Sequence, residues 1–73
     1  MNEQTKIKIG NRIAEIRKEN KLSQYEFGKK LGVSQDTVSL WENGKSLPAT
    51  EYVINIAQIF QRSTDEILCL KDY

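Results

Sequence analysis

The sequence of 73 residues contains no histidine, one cysteine and one proline. Without histidine and with a single thiol it has no ordinary zinc ligand set and cannot form an internal disulfide. Histidine is also the commonest general base near neutral pH, and no glycine-rich phosphate loop compensates for its absence, so catalysis is not expected. Long apolar runs are missing too. The longest, Ile67-Leu68-Cys69-Leu70, falls far short of the roughly 20 residues that span a bilayer. The first ten residues are polar, unlike a signal peptide. These absences lead to the expectation of a reduced, soluble, cytoplasmic protein that needs no metal or cofactor and no membrane.

Net charge is scarce as well. Eleven Lys and Arg against ten Asp and Glu leave +1, so total charge by itself predicts no polyanion partner. Its distribution is uneven. Residues 1–21 carry six cations (Lys6, Lys8, Arg12, Arg17, Lys18, Lys21) and three carboxylates. Residues 46–73 carry Arg62 and Lys71 against four carboxylates. Only the N-terminal half could offer a basic face, and such an imbalance is also what ordinary solvated helices show.

What is present is helical periodicity. Ile9, Ile13 and Ile16 recur at i, i+4, i+7, which predicts an amphipathic helix from about Ile7 to Glu19. Ser23-Gln24-Tyr25-Glu26 reads as a capping box opening a second helix, with Phe27 and Leu31 inward and Gly32 closing it. Ser34 reads as the cap of a third helix, Gln35 to Glu42, with Val38 and Trp41 inward. Asn43-Gly44 marks a turn, and a loop with Pro48 follows. Thr50 is expected to cap a fourth helix that turns Val53, Ile56, Ala57 and Phe60 inward. Ser63 to Glu66 reads as a second capping box, opening a fifth helix with Ile67, Leu68 and Leu70. Cys69 is expected on that helix as a small buried hydrophobe. No segment alternates like a strand, so the predicted fold is all-α, five helices forming one domain over residues 1–73.

The segment from about 24 to 43 has the spacing of a helix-turn-helix. Two helices that cross closely need a small residue at the crossing, a glycine in the turn and a buried aliphatic on the second helix. Gly28, Gly32 and Val38 meet those needs in order. Trp41 is assigned to the core, since paired duplex bases offer it no stacking surface. Lys29 and Lys30 read as solvated helix surface.

Residues 9–68 resemble the phage repressor and Cro type of helix-turn-helix domain, the Xre-like family. The resemblance rests on Ile13, Ile16 and Arg17, Leu22-Ser23-Gln24, Gly28, Gly32-Val33-Ser34, Val38-Ser39, Trp41-Glu42-Asn43-Gly44 and Pro48. Phe27 and Gly28 depart mildly, standing where leucine and alanine are commoner. The resemblance implies a phage-repressor-like five-helix DNA-binding domain and a transcriptional regulator, a repressor acting as a dimer on a double-stranded operator with two half-sites. It implies that Gln24 bonds a phosphate, that Gln35 and Asp36 read base edges, that Ser34, Thr37, Ser39 and Leu40 flank them, and that Asn43 and Lys45 touch phosphate. A glutamine suits adenine, and a carboxylate can accept from the cytosine amino group. Asp36 is alternatively a favourable charge in the first turn of its helix. The resemblance further implies a partly buried pair between Arg17 and Glu42, and a homodimer formed near the last helix, with Ile67, Leu68, Leu70 and Tyr73 as its apolar patch. Some relatives of this type act instead as antitoxins or anchors for partner proteins, and the acidic, apolar C-terminal part is the surface for that second reading.

Overall fold

A computed structural model describes residues 3–70. Five helices follow one another: α1 (Glu3–Glu19), α2 (Gln24–Leu31), α3 (Gln35–Glu42), α4 (Thr50–Phe60) and α5 (Thr64–Ile67), and no strand occurs among the described residues. α1 starts four residues before the expected Ile7. Residues 3–8 hold no glycine or proline, and extending a helix beyond its nucleus costs little per residue. The isoleucine stripe of α1 lies wholly in the core, joined there by Phe27, Val38, Trp41, Val53, Ile56 and Ile67. Phe27 of α2 stacks on Phe60 of α4 at 5.2 Å between ring centroids, and Trp41 of α3 meets Tyr52 at 5.6 Å.

The local signals set the ends of α2 and α3. The Ser23 hydroxyl accepts from the Glu26 amide at 3.0 Å, and the Glu26 carboxylate accepts from the Ser23 amide at 2.9 Å. Gly32 closes α2 at φ 78°, a left-handed conformation that a Cβ would strain. The Ser34 hydroxyl accepts from the Thr37 amide at 3.2 Å and opens α3.

Two glycines let the helices approach. A Cβ on Gly28 would lie 2.6 Å from the Val33 carbonyl oxygen, so α2 and the start of α3 touch through backbone. Gly10 does the same for α1 and the end of α3, where a Cβ would lie 2.2 Å from the Trp41 carbonyl oxygen.

The C-terminal half departs from expectation in three places. Thr50 is the first residue of α4, not its cap. Ala49 takes the extended cap position, and its carbonyl accepts from Tyr52 and Val53, with no side chain capping the turn. Ser63 caps α5 by accepting from the Glu66 amide at 3.0 Å, but the Glu66 carboxylate does not complete the expected box. It turns to Arg62 and Arg12, because it is buried and both guanidiniums face it. Finally, α5 stops at Ile67. Leu68 caps it, and Cys69 bends the chain back at φ 60°. Cys69 is therefore half-buried in a turn rather than packed on a helix face, and Leu70 is exposed.

The Glu66 cluster carries a pH dependence. Hydrogen bonding from Arg62, then its charge and that of Arg12, holds the Glu66 carboxyl below the usual carboxylate range. A depressed carboxyl stabilises the fold above its ordinary pKa and loses that contribution as pH falls through the lowered value. The urea midpoint is therefore expected to stay level from about pH 8 to 5 and to fall below about pH 4. Glu66→Gln should flatten that acid-side fall; an unchanged slope in urea titrations would remove the assignment.

Candidate nucleic-acid interface

α3 meets the core along one side only. Val38 and Trp41 are buried, and 100° per residue places Asp36, Leu40 and Asn43 on the opposite side. Ser34, Gln35, Asp36, Leu40, Asn43 and Lys45 are exposed, while Thr37 and Ser39 are half-buried. The surface is internally ordered. The Ser34 and Thr37 hydroxyls lie 3.0 Å apart, and the Asn43 amide donates to the Ser39 hydroxyl at 3.2 Å. The serine cap leaves the first amides of α3 at its exposed end, where backbone N–H groups and the helix dipole favour an anion. Asp36 stands in that first turn with its carboxylate open to solvent.

Behind this face sits a charged junction. The Arg17 guanidinium donates to both Glu42 oxygens, at 2.6 and 3.0 Å, and to the Leu22 carbonyl at 2.8 Å. The side chains retain 13% and 7% of their exposure, so the pair is largely out of water. These bonds to Glu42 raise the Arg17 pKa further above its ordinary value. Gln24 joins from α2, donating from its amide to Glu42 Oε1 at 3.1 Å. One carboxylate thereby ties the end of α1, the start of α2 and the end of α3. Gln24 keeps its second amide hydrogen for an outside acceptor, and its side chain starts from a fixed position.

The structure thus leaves Ser34, Gln35, Asp36, Leu40, Asn43 and Lys45 exposed along α3 and the turn after it, with Thr37 and Ser39 half-buried beside them, and ties the half-buried Gln24 to Glu42 at the end of α3. Two contributors were not read from the sequence. The Gln24–Glu42 bond joins residues 18 apart, beyond the reach of local pattern. Gly10 had a readable signal: a glycine amid a helix costs about 1 kcal/mol relative to alanine, which points to a close approach. Lys29 and Lys30 are exposed, and the Lys29 amine lies 5.6 Å from the centroid of the exposed Tyr25 ring. Of the expected dimer patch, Ile67 is fully buried in the core and offers no apolar face, while Leu68 is half-buried against it. Leu70 alone of the described members is exposed, and Tyr73 lies outside the described residues. No group of three or more metal-ligating side chains assembles, and no helix is long and apolar enough to cross a membrane, among the described residues.

An α2–turn–α3 unit braced by α1 and α4, with a polar outward face on its second helix, defines a helix-turn-helix DNA-binding domain. Residues 13–67 match the family described as Helix-turn-helix, and the chain belongs to that family, in its Xre/Cro-like branch of transcriptional regulators. It is 38% identical over 60 residues to the Antitoxin PezA of Streptococcus pneumoniae serotype 4, covering 82% of this chain and 38% of that protein. It is 35% identical over 60 residues to Repressor protein C2 of Salmonella phage P22, covering 82% of this chain and 28% of that one. The chain therefore spans about a third of the length of these curated relatives. The crystal structure of the P22 c2 repressor in complex with synthetic operator 9T is similar to this fold, with TM-score 0.75, 34% identity and coverage of 81% and 89% of the two chains. The restriction-modification controller protein C.AhdI from Aeromonas hydrophila shares the fold at TM-score 0.79 and 22% identity, with 89% and 94% covered.

Proposed function

We propose that the chain is a sequence-specific repressor that acts in the cytoplasm and occupies a two-half-site operator as a dimer. The observation that carries this reading is the exposed polar surface of α3, held away from the core by Val38 and Trp41. In this reading α3 enters the major groove, Gln35 bonds adenine through its amide, and Asp36 accepts from a cytosine amino group. Ser34, Thr37, Ser39 and Leu40 line the same groove. Gln24 at the start of α2, with Asn43 and Lys45 after α3, donates to phosphates on the flanks. Repression is steric: the bound dimer covers the site that polymerase needs. Half-sites lie about one helical turn, roughly 34 Å, apart. A single recognition helix reads few base pairs, which is the reason for two copies. The exposed Ile54, Ile59 and Leu70 of the C-terminal half supply apolar surface for pairing.

Selection of bound sequences from a random duplex pool, at two salt concentrations, tests the reading. A two-half-site consensus with steep salt dependence is expected; enrichment of nothing at low salt would end it. Two variants refine it. Gln35→Ala should cost about 1–3 kcal/mol on the selected duplex and relax preference at one base pair. Lys45→Ala should weaken all duplexes alike and reduce the salt slope by about one. If anisotropy titrations show neither effect, the docking face lies elsewhere.

A second reading, a module that binds a partner protein in the antitoxin manner, is favoured by the 38% identity to PezA. Salt separates the two. Phosphate contacts lower log affinity by about 0.9 per contact per log unit of salt, a steepness that a protein interface need not share.

A further inference from the structure

The outward side of α3 is polar with one exception. Leu40 is 47% exposed, in the middle of the face between Asp36 one turn before it and Asn43 one turn after. Helix formation does not require it, since Lys, Gln, Arg and Glu have similar propensity. The core does not use it, since Val38 and Trp41 fill the inner side. About half of its surface stays in water, in a position where a polar side chain would be better solvated.

We propose that Leu40 reads the 5-methyl group of a thymine, about two base pairs from the pair that faces Asp36; this rests on α3 being the recognition helix. Leucine has no donor or acceptor, so against guanine, adenine or cytosine it would cover hydrogen-bonding edges and leave them without partners. The thymine methyl is the apolar group that the major groove offers. Four residues of helix advance about 6 Å, and base pairs along a strand are about 3.4 Å apart, which sets the two-pair spacing. A carboxylate that prefers cytosine and a leucine that prefers thymine, one turn apart, give this helix a definite pyrimidine pattern.

Uracil isolates the methyl group, because it keeps every hydrogen-bonding group of thymine. The probe is the strongest duplex that the wild-type protein selects from a random pool, with each thymine replaced singly by uracil. Affinity is expected to fall roughly fourfold at one thymine per half-site, the factor for burying about one methyl group. Leu40→Ala should bind the thymine and uracil forms equally at that position, and Leu40→Met should keep the discrimination. Leu40 is exposed, so these variants are expected to fold, which circular dichroism checks. The assignment is overturned if wild type ignores uracil at every position, if the selected half-site holds no thymine, or if Leu40→Ala discriminates as wild type does. A wild-type protein that selects no duplex removes the recognition-helix reading itself, whereas one that selects a duplex and ignores uracil removes only the role of Leu40.

Discussion

Glu42→Ala is expected to lower the unfolding free energy by about 3–5 kcal/mol, because it strands the Arg17 guanidinium in a site largely closed to water. Arg17 would keep its bond to the Leu22 carbonyl but lose both bonds to Glu42, and Gln24 would lose its anchor. A pair on the open surface would contribute only about 0–1 kcal/mol, so size alone separates the two cases. For a domain of this length the loss corresponds to a fall in Tm of at least about 12 °C. Replacing both partners, as in Arg17→Leu with Glu42→Leu, should recover much of the loss, since no charge is then left buried alone. Denaturation of Arg17→Leu, Glu42→Leu and the variant with both forms a cycle. Additive effects would show that the two charges act independently.

Gly10→Ala is expected to be the second most damaging of the proposed changes, at about 2–3 kcal/mol. On helix propensity alone alanine should help by up to about 1 kcal/mol. Geometry reverses the sign. The new Cβ would sit 2.2 Å from the Trp41 carbonyl oxygen and 3.0 Å from that of Glu42, and both are backbone. No side chain can swing away, so α1 and α3 must separate, and the Arg17–Glu42 junction opens with them. Gly32→Ala is a useful contrast: nothing lies within 4 Å of its Cβ, and its cost comes only from the left-handed backbone. Urea titrations should rank Gly10→Ala well above Gly32→Ala. The reverse order would show that α1 and α3 do not depend on their close backbone contact.

What the sequence reveals here follows the range of the interaction. The caps at Ser23 and Ser34, the stop at Gly32 and the inward stripes of α1 to α3 are set within four residues, and their helical spacing is readable. The outward surface of α3 is the complement of its buried stripe, so the exposure of Gln35, Asp36, Leu40 and Asn43 follows from the inward placing of Val38 and Trp41. The C-terminal half is governed by distant partners. Glu66 looks like a cap residue until Arg12, 54 positions away, is folded against it. Ile67 looks like surface for a dimer until the core closes over it. The sequence pattern runs past the end of α5 because Ile67, Leu68 and Leu70 continue an apolar spacing, which says nothing of the left-handed turn at Cys69. Gln24 shows the same limit within the site, since its bond to Glu42 exists only once α2 and α3 are packed.

Titration of isotopically labelled protein with its selected duplex, followed by amide chemical shifts, addresses the docking face most directly. The largest changes are expected at residues 34–40, at Gln24 and at residues 43–45, with α4 and α5 moving less. Changes concentrated on α4 and α5, with the amides of α3 unmoved, would contradict the assignment of α3 to the groove.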